Sequence, residues 1–357
     1  MNETFQVGIN KVGKDSKVYF IADIAANHDG SLDRAVELIH KCAEAGANAA
    51  KFQNFSASTI VSDYGFKTLD NQLSHQKKWD KSVFDVYDSA AIPLEWTRVL
   101  KSECDKANID YFTAPYDISM IPELEKYVCA WKVGSGDITW HKSIEIMSKS
   151  NKPVFLATGA SNIEEVESAF NIAKKFSNDI CVMQCNTNYT GSLENFKYIN
   201  LSVIKTYLKK FEGVVVGLSD HTPGCATTLG AIALGAKVIE KHFTDNTSRP
   251  GPDHAFSINF QDWKDMVDRS RELELSLGSE VKKIEDNELE TSVIQRRSIR
   301  TKRLIKKNET LTEDMVINLR PCPRDALEPW KLNSILGKKV LQDIPAGDYL
   351  KAKDIAK

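Results

Sequence analysis

Two histidines end two short β-branched runs of this 357-residue chain, and histidines in such places act as metal ligands or acid–base groups. The runs read Val214-Val-Val-Gly-Leu-Ser-Asp-His221 and Lys237-Val-Ile-Glu-Lys-His242. Each is typical of a buried parallel strand, whose carboxyl end lies at the edge where α/β folds build their sites. A single histidine there is more often a core or loop residue than a ligand. Because two histidines lie at matched ends of successive strands, a shared metal site is as well supported here as a core or loop role.

Polar residues follow the carboxyl end of every predicted strand, although a packed sheet interior needs only apolar side chains. In chain order they are Asp23, Asn27 and His28; Lys51 and Gln53; Thr113; Lys132, Ser135 and Asp137; Thr158; Asn186, Thr187 and Tyr189; Ser219, Asp220 and His221; Glu240, Lys241 and His242; and the turn Arg249–Asp253. Two lysines with several hydroxyls suit a phosphate, which binds charge-assisted donors in number. The set therefore predicts a compact anionic phosphate ester that meets a metal-bound polar partner.

Simpler interpretations of single residues stay open on the sequence alone. Lys51 is either an ion-paired lysine of the fold interior or a Schiff-base nucleophile. Asp253, after Pro-Gly-Pro, is also suited to cap a turn, and His28 is left without a role. Cys185 is predicted to pack rather than to react, because no basic partner is visible beside it.

Eight strand–helix units position these residues. The predicted strands cover 18–22, 49–53, 110–114, 130–135, 153–158, 180–185, 214–218 and 237–243. Regular β/α alternation predicts a parallel sheet, and eight units of this length match a closed (β/α)8 TIM barrel. A doubly wound open sheet is the less favoured alternative, because no glycine-rich dinucleotide turn follows the first strand. Ser31 or Asp29 is predicted to cap the first helix.

Further segments and domain boundaries complete the predicted organisation. Residues 54–91 form a long polar segment with aromatics, interpreted as a functional loop, and residues 193–210 are predicted to form one helix. The barrel domain is expected to span 1–280, a charged linker 281–293, and a small mostly-β domain 294–357. A unit that small buries little core by itself, so we expect it to pack on a barrel, either its own or a partner's.

Composition argues against several classes of function. A hydrophobic content of 42% and a charged content of 27% are ordinary for a globular protein. The net charge of −2 gives no reason to expect nucleic acid or a membrane surface as partner. No apolar run approaches the ~20 residues that span a bilayer. The seven cysteines include no Cys-x-x-Cys pair, so they are expected to be reduced, in a cytoplasmic protein.

Six ordered motifs resemble those of the sialic acid synthase family, the N-acetylneuraminate synthases and their relatives that make legionaminic and pseudaminic acids. The motifs are Phe20-Ile-Ala-Asp-Ile-Ala-Ala-Asn-His-Asp-Gly30, Ala50-Lys-Phe-Gln53, Lys132-Val-Gly-Ser-Gly-Asp137, Gly217-Leu-Ser-Asp-His-Thr222, Ile239-Glu-Lys-His-Phe-Thr244 and Arg249-Pro-Gly-Pro-Asp253. Residues 298–357 resemble the family's C-terminal antifreeze-like (SAF) domain. The resemblance covers nearly the whole chain.

The resemblance implies a reaction, a metal and an assembly. Phosphoenolpyruvate would condense with an open-chain N-acyl hexosamine to give a nine-carbon 2-keto-3-deoxy acid and phosphate, with cleavage of the C–O bond. The implied cofactor is a divalent metal, Mn²⁺ in the first place and Mg²⁺ or Co²⁺ otherwise. The implied assembly is a domain-swapped homodimer, in which each SAF domain caps the other subunit's barrel.

The resemblance also implies roles for individual residues. By position, His221 and His242 match the metal ligands. The matches to phosphoenolpyruvate contacts are Lys51, Thr113, Lys132, Ser135, Thr158, Thr187 and Ser219. The matches to groups near the sugar are Gln53, Tyr189, Asp253 and, from the partner subunit, Arg320. Asp23, Asp137 and Lys51 match the catalytic positions.

Two of these positions depart from the family pattern, since many members carry glutamate where this chain has Asp23 and Asp137. Each change withdraws the carboxylate by one C–C bond, roughly 1.5 Å. The residues also leave two other functions open. One is a pyruvate aldolase that forms a Schiff base on Lys51, and the other is a non-catalytic carbohydrate-binding relative.

Overall fold

The computed structural model describes residues 1–69, 76 and 79–356. Its strands are β1 (Thr4–Val7), β2 (Asn10–Gly13), β3 (Tyr19–Asp23), β4 (Ala49–Asn54), β5 (Asp110–Pro115), β6 (Trp131–Val133), β7 (Val154–Ala157), β8 (Ile180–Cys185), β9 (Val215–Asp220), β10 (Val238–His242), β11 (Ser298–Thr301) and β12 (Val316–Leu319). Strands β3 to β10 form a closed parallel barrel, with β10 hydrogen-bonded to β3. The predicted TIM barrel is confirmed.

The α-helices lie after the strands, as the alternation predicts. They are α1 (Leu32–Glu44), α2 (Ala57–Ile60), α3 (Asp63–Thr68), α4 (Val83–Ala90), α5 (Trp96–Lys106), α6 (Ile121–Leu124), α7 (His141–Ser148), α8 (Ile163–Lys174), α9 (Val203–Lys210), α10 (Ala226–Ala233), α11 (Phe260–Leu277) and α12 (Leu289–Ile294). The Ser31 side chain caps α1 by accepting from the backbone N–H of Arg34. Asp29 is therefore available for other contacts.

Side chains of each barrel strand alternate between the helix layer and the barrel interior. On β4, Phe52 packs against the helix layer, while Ala49 joins the interior apolar cluster. The amino-terminal hairpin β1–β2 contributes Phe5 and Val12 to that cluster, which closes the lower end of the barrel. The sequence analysis did not predict this hairpin. Apolar filling at the bottom leaves the upper, carboxyl end of the barrel for polar side chains.

Two predicted segments differ from the structure. The segment 54–91 contains α2, α3 and α4 in its described part, and residues 70–75 and 77–78 lie outside the described residues. The helix predicted at 193–210 is divided into a 3₁₀ segment (Leu193–Tyr198) and α9. Asn200 lies between them with a φ of 49°, a left-handed conformation that an α-helix cannot contain.

The chain divides into two compact units, Met1–Gly278 and Ser279–Lys357. The second unit has its own apolar core around Ile299, Leu311 and Val340, with β11 and β12 paired antiparallel. Residues predicted as linker carry the short helix α12. All seven cysteines are free. Within the described ranges, no helix combines the length and apolar character that a membrane crossing needs.

Candidate active site

An ion-paired network of lysines and carboxylates fills the barrel above its apolar layer. Lys51 Nζ lies 2.7 Å from Asp23 Oδ2 and 3.3 Å from Glu240 Oε1. Lys132 Nζ lies 2.6 Å from the same Glu240 oxygen, to which the Ser219 hydroxyl donates at 3.3 Å. Each of the five residues is at most 4% exposed. Glu240, Lys51 and Lys132 come from alternate strands, the arrangement that builds one layer of a TIM barrel.

Mutual pairing keeps this buried network charged. Burial opposes the protonation of Lys51, but Asp23 and Glu240 hold its pKa above the usual value. Burial also opposes ionisation of Glu240, but Lys132 and Lys51 lower its pKa. A lysine that stays protonated binds phosphate well and is a poor amine nucleophile. The network therefore favours anion binding over Schiff-base chemistry at Lys51.

His221 and His242 lie side by side above the network, with ring centroids 5.4 Å apart. His221 Nδ1 lies 3.1 Å from the carbonyl oxygen of Asn186, to which it donates. His242 Nε2 lies 3.4 Å from Asp23 Oδ2, and its Nδ1 is buried without a hydrogen-bond partner. Burial, with the charges of His221 and Lys51, holds the pKa of His242 well below its usual value.

The low pKa of His242 fits a neutral ligand of a divalent metal, because an imidazole must be unprotonated to coordinate. Burial opposes protonation of His221, but a hydrogen bond with Cys185 holds its pKa above the usual value, so a metal bound there would displace a proton. Among the residues that the structure describes, no three His, Cys, Asp or Glu side chains are grouped to hold a metal ion. A metal held by the two histidines would take its remaining ligands from water and substrates, as open catalytic sites do.

Two hydroxyls converge on Gly159, at the end of β7. A Cβ at this position would lie 1.9 Å from Thr187 Oγ1 and 2.9 Å from Ser135 Oγ, so only glycine fits without displacing them. The backbone N–H of Gly159 donates to Ser135 Oγ at 3.0 Å. This close approach gathers hydroxyl groups at the carboxyl end of the barrel.

A cleft of about 320 Å³ opens above these groups. Its aromatic side includes Phe55, Trp79, Tyr87, Tyr116 and Tyr189, and its polar side includes Gln53, Ser135, Asp137, Thr187, His242 and Asp253. Burial raises the pKa of Asp137 to about 6. Burial and the nearby charge of Asp23 raise the pKa of Asp253 to about 6 as well. Perturbed carboxyls in a cleft of this kind are typical of an active site that moves or holds protons.

Comparison with known proteins identifies the family that carries this geometry. The NeuB family matches residues 38–282, which is most of the first unit, and the SAF domain matches residues 296–356. The chain belongs to the NeuB family. Its predicted resemblance to sialic acid synthases with a C-terminal SAF domain is confirmed.

Several NeuB relatives match over almost their full length. A pseudaminic acid synthase of Campylobacter jejuni is 32% identical over 97% of this chain and 99% of its own. An N,N'-diacetyllegionaminic acid synthase of Legionella pneumophila is 31% identical, with 96% of each chain covered. The crystal structure of an N-acetylneuraminic acid (sialic acid) synthetase from Leptospira borgpetersenii, in complex with citrate, superposes with a TM-score of 0.70 at 28% identity. That superposition covers 82% of this chain and 95% of the other.

Most of the predicted site residues come together at this one end of the NeuB barrel. They are Asp23, Lys51, Gln53, Lys132, Ser135, Asp137, Thr187, Tyr189, Ser219, His221, His242 and Asp253. Thr113 does not line the cleft and instead donates its hydroxyl to Asn54 Oδ1 at 2.6 Å. The Thr158 hydroxyl donates to the Met183 carbonyl and accepts from Tyr207 in the helix layer. Arg320 is exposed in the second unit, just after β12.

Two features of the NeuB site escaped the sequence analysis. Glu240 was noted at a strand end but given no role, although two-residue alternation sets it on the same face as His242. Cys185 has a basic neighbour after all. Burial opposes its ionisation, but a hydrogen bond with His221 lowers the pKa of the thiol.

Proposed function

We propose that this NeuB-family protein condenses phosphoenolpyruvate with an N-acyl hexosamine, producing a nine-carbon 2-keto-3-deoxy acid and phosphate. The observation that carries the proposal is the buried network beneath the cleft, in which Lys51 and Lys132 both pair with Glu240. Two lysine side chains at the base of a narrow cleft suit a small substrate whose phosphate and carboxylate oxygens would compete for them with Asp23 and Glu240. The names of the pseudaminic and legionaminic acid synthase relatives agree with this class of reaction.

We assign the phosphoenolpyruvate end to the lysines and the hydroxyls around them. Lys51 and Lys132 would neutralise the anionic groups, and Ser135, Thr187 and Ser219 would donate to their oxygens. The hydroxyls of Thr113 and Thr158 are engaged within the barrel wall, so we propose that they support this end without contacting the substrate directly.

We assign a divalent metal to His221 and His242, with Mn²⁺ expected and Mg²⁺ or Co²⁺ as alternatives. Such a metal supplies Lewis-acid polarisation of an aldehyde oxygen. Asp23, within reach of Lys51 and His242, would orient the reacting water. Asp137, whose pKa is about 6, would accept and return a proton near neutral pH.

The acceptor sugar would occupy the open part of the cleft, beside Gln53, Tyr189 and Asp253. Its N-acyl group would be bound by Arg320 of the partner subunit in a domain-swapped homodimer. Aromatic side chains along the same cleft suit the apolar faces of a sugar and its acyl group.

Phosphate release tests the proposed function. Phosphoenolpyruvate is incubated with a panel of N-acyl hexosamines, and both free phosphate and product mass are measured. We expect release with at least one acceptor, and loss of about 100-fold or more after complete metal removal or in His242→Ala, because aldehyde activation is then missing. His40→Ala, which changes an exposed histidine paired with Glu103, is the matched control and should retain full activity.

Each other outcome contradicts a defined part of the proposal. Full activity without metal would remove the metal role, whereas a pyruvate adduct trapped by borohydride would favour the aldolase. Sugar binding with no phosphate release from any acceptor would favour a non-catalytic binding protein.

A further inference from the structure

Asp29 joins the loop after β3 to the loop after β10. Its Oδ2 accepts from Arg249 Nε at 2.9 Å and Nη2 at 2.6 Å, and lies 3.1 Å from Arg34 Nε. Its Oδ1 accepts from His254 Nε2 at 2.8 Å. Burial opposes ionisation, but the bonds from His254 and Arg249 hold the pKa of Asp29 below its usual value. One carboxylate therefore ties together side chains far apart in sequence.

His254 extends this tie into the interior of the loop. The side chain is fully buried, and its Nδ1 lies 2.7 Å from Thr244 Oγ1 just after β10. The imidazole thus connects the end of a barrel strand to Asp29, with both ring nitrogens engaged. Its ring also lies against Gly251, where a Cβ would stand 2.7 Å from His254 Cδ2. Ring and turn are packed so closely that the turn cannot shift independently of His254.

The carboxylate of Asp253, next to His254 in the chain, points into the cleft. Its Oδ2 accepts from the backbone N–H of Ala26 at 3.0 Å, so it too bridges the loops after β3 and β10. The Ser257 hydroxyl donates to the Asp253 carbonyl at 2.7 Å and accepts from Asn27 Nδ2 at 2.9 Å. Four side chains of the loop after β10, those of Arg249, Asp253, His254 and Ser257, therefore hold the loop after β3, and of these only Asp253 lines the cleft.

We propose that Asp29 and His254 are positioning residues that set the location of the Asp253 carboxylate at the acceptor end of the cleft. Neither lines the cleft, so they act through the two loops that they hold together. The consequence is selective: the acceptor sugar depends on this pair, whereas phosphoenolpyruvate, bound at the lysines, does not. The inference rests on the proposed function for the identity of the two substrates.

Two conservative variants test the roles of Asp29 and His254 without creating a cavity in the protein interior. His254→Phe keeps a ring of similar volume and loses both polar contacts. Asp29→Asn keeps a side chain that tolerates the observed φ of 52° and loses the charge. We expect each to raise the KM for the acceptor by about 10- to 100-fold, as a displaced contact group does. The KM for phosphoenolpyruvate should change by less than about twofold.

A graded variant and a control separate positioning from general destabilisation. Arg249→Met removes a partner of Asp29 that is 39% exposed, and it should raise the acceptor KM in the same direction by a smaller factor. Tyr19→Phe removes a buried hydrogen bond to Asp110 at the bottom of the barrel and should leave both KM values unchanged. A parallel rise in both KM values in His254→Phe and Asp29→Asn would overturn the inference.

Amide hydrogen exchange tests the connection between the loops after β3 and β10 without requiring the enzyme to turn over. In His254→Phe and Asp29→Asn, the peptide covering residues 24–30 should exchange faster than in the wild type, because the Ala26 N–H loses a fixed acceptor. Unchanged exchange in that peptide would overturn the inference. Should the wild type release no phosphate with any acceptor, the proposed function fails, and the exchange comparison still decides the role of the pair.

Discussion

At the scale of single residues, Glu240 is the carboxylate that pairs with two lysines inside the barrel. Its Oε1 accepts from Lys132 and Ser219 and lies 3.3 Å from Lys51, so one oxygen serves three groups. The shorter acid Asp23 still reaches both Lys51 and His242. A one-carbon shortening is thus compatible with the contacts of the site, because the lysine and the histidine both approach the strand end closely.

Replacing Glu240 by glutamine should destabilise the fold strongly. The change removes the carboxylate that Lys132 pairs with, and an unpaired buried charge costs about 3–5 kcal/mol in the free energy of unfolding. Urea denaturation with linear extrapolation measures the loss. The control Glu37→Gln breaks an exposed pair with Lys41, 2.7 Å apart, and should stay within about 0.5 kcal/mol. Equal losses in the two variants would argue against a charged network.

The carboxyl of Asp137 should govern the pH dependence of turnover. With a raised pKa of about 6, it is ionised above that pH and protonated below it. We expect the ratio of kcat/KM for wild type to that for Asp137→Asn to be constant above pH 6 and to fall about tenfold per pH unit below it. Because the substrate ionises in the same way in both assays, the ratio of the two kcat/KM values removes the effect of substrate ionisation. A ratio that is flat from pH 5 to pH 8 would exclude a proton-transfer role.

At the scale of elements, strand ends were predictable and the contacts between them were not. Buried parallel strands read as apolar runs, which is why Val215–Asp220 and Val238–His242 were found close to their observed bounds. The serines that start α3 and α4, Ser62 and Ser82, carried a cap signal that the loop interpretation overlooked. The pairing of Glu240 with two lysines could not be read from the chain, because it exists only after barrel closure.

An outward-facing ion pair ties the two histidine-bearing strands together. Lys241 Nζ lies 2.6 Å from Asp220 Oδ2 and donates to the Thr222 carbonyl at 2.5 Å, so it holds residues on both sides of His221. Lys241→Met should cost about 3–5 kcal/mol, because Asp220 stays buried without its cation. Affinity for Co²⁺, followed by its visible absorption, should fall by 10-fold or more.

A double variant distinguishes the loss of the Asp220–Lys241 contact from the cost of leaving one charge buried without its partner. Asp220→Leu combined with Lys241→Met replaces both charges and should recover most of the stability, since a buried ion pair is often replaceable by apolar residues. Co²⁺ affinity should stay reduced, because the strand ends have lost their tie. Wild-type affinity in this double variant would show that the pair has no effect on His221.

At the scale of the whole molecule, the chain consists of a NeuB barrel unit and an SAF unit with separate cores. The family could be predicted from short motifs, since they carry the strand-end residues of the barrel. That Arg320 of the partner subunit serves each site stays a prediction that rests on the resemblance, because no local pattern encodes the arrangement of two chains. A swapped dimer makes a distinctive prediction for mixed subunits.

Mixing inactive Arg320→Ala and His242→Ala subunits should restore activity. After random reassembly, half of the dimers are mixed, and each contains one site with an intact barrel and an intact arginine of the partner subunit. Condensation should therefore recover to about one quarter of the wild-type rate. Each parent variant alone is the control. No recovery after verified subunit exchange would mean that Arg320 serves its own barrel or none.

The fate of the bridging oxygen of phosphoenolpyruvate tests the central claim most directly. Phosphoenolpyruvate labelled with ¹⁸O between C2 and phosphorus is turned over with an accepted N-acyl hexosamine. The masses of the phosphate and of the nine-carbon acid are then measured by mass spectrometry. Condensation with C–O cleavage predicts that the label leaves entirely in phosphate, with one nine-carbon acid formed per phosphate. Label retained in the keto acid, or phosphate formed without the acid, would contradict the account.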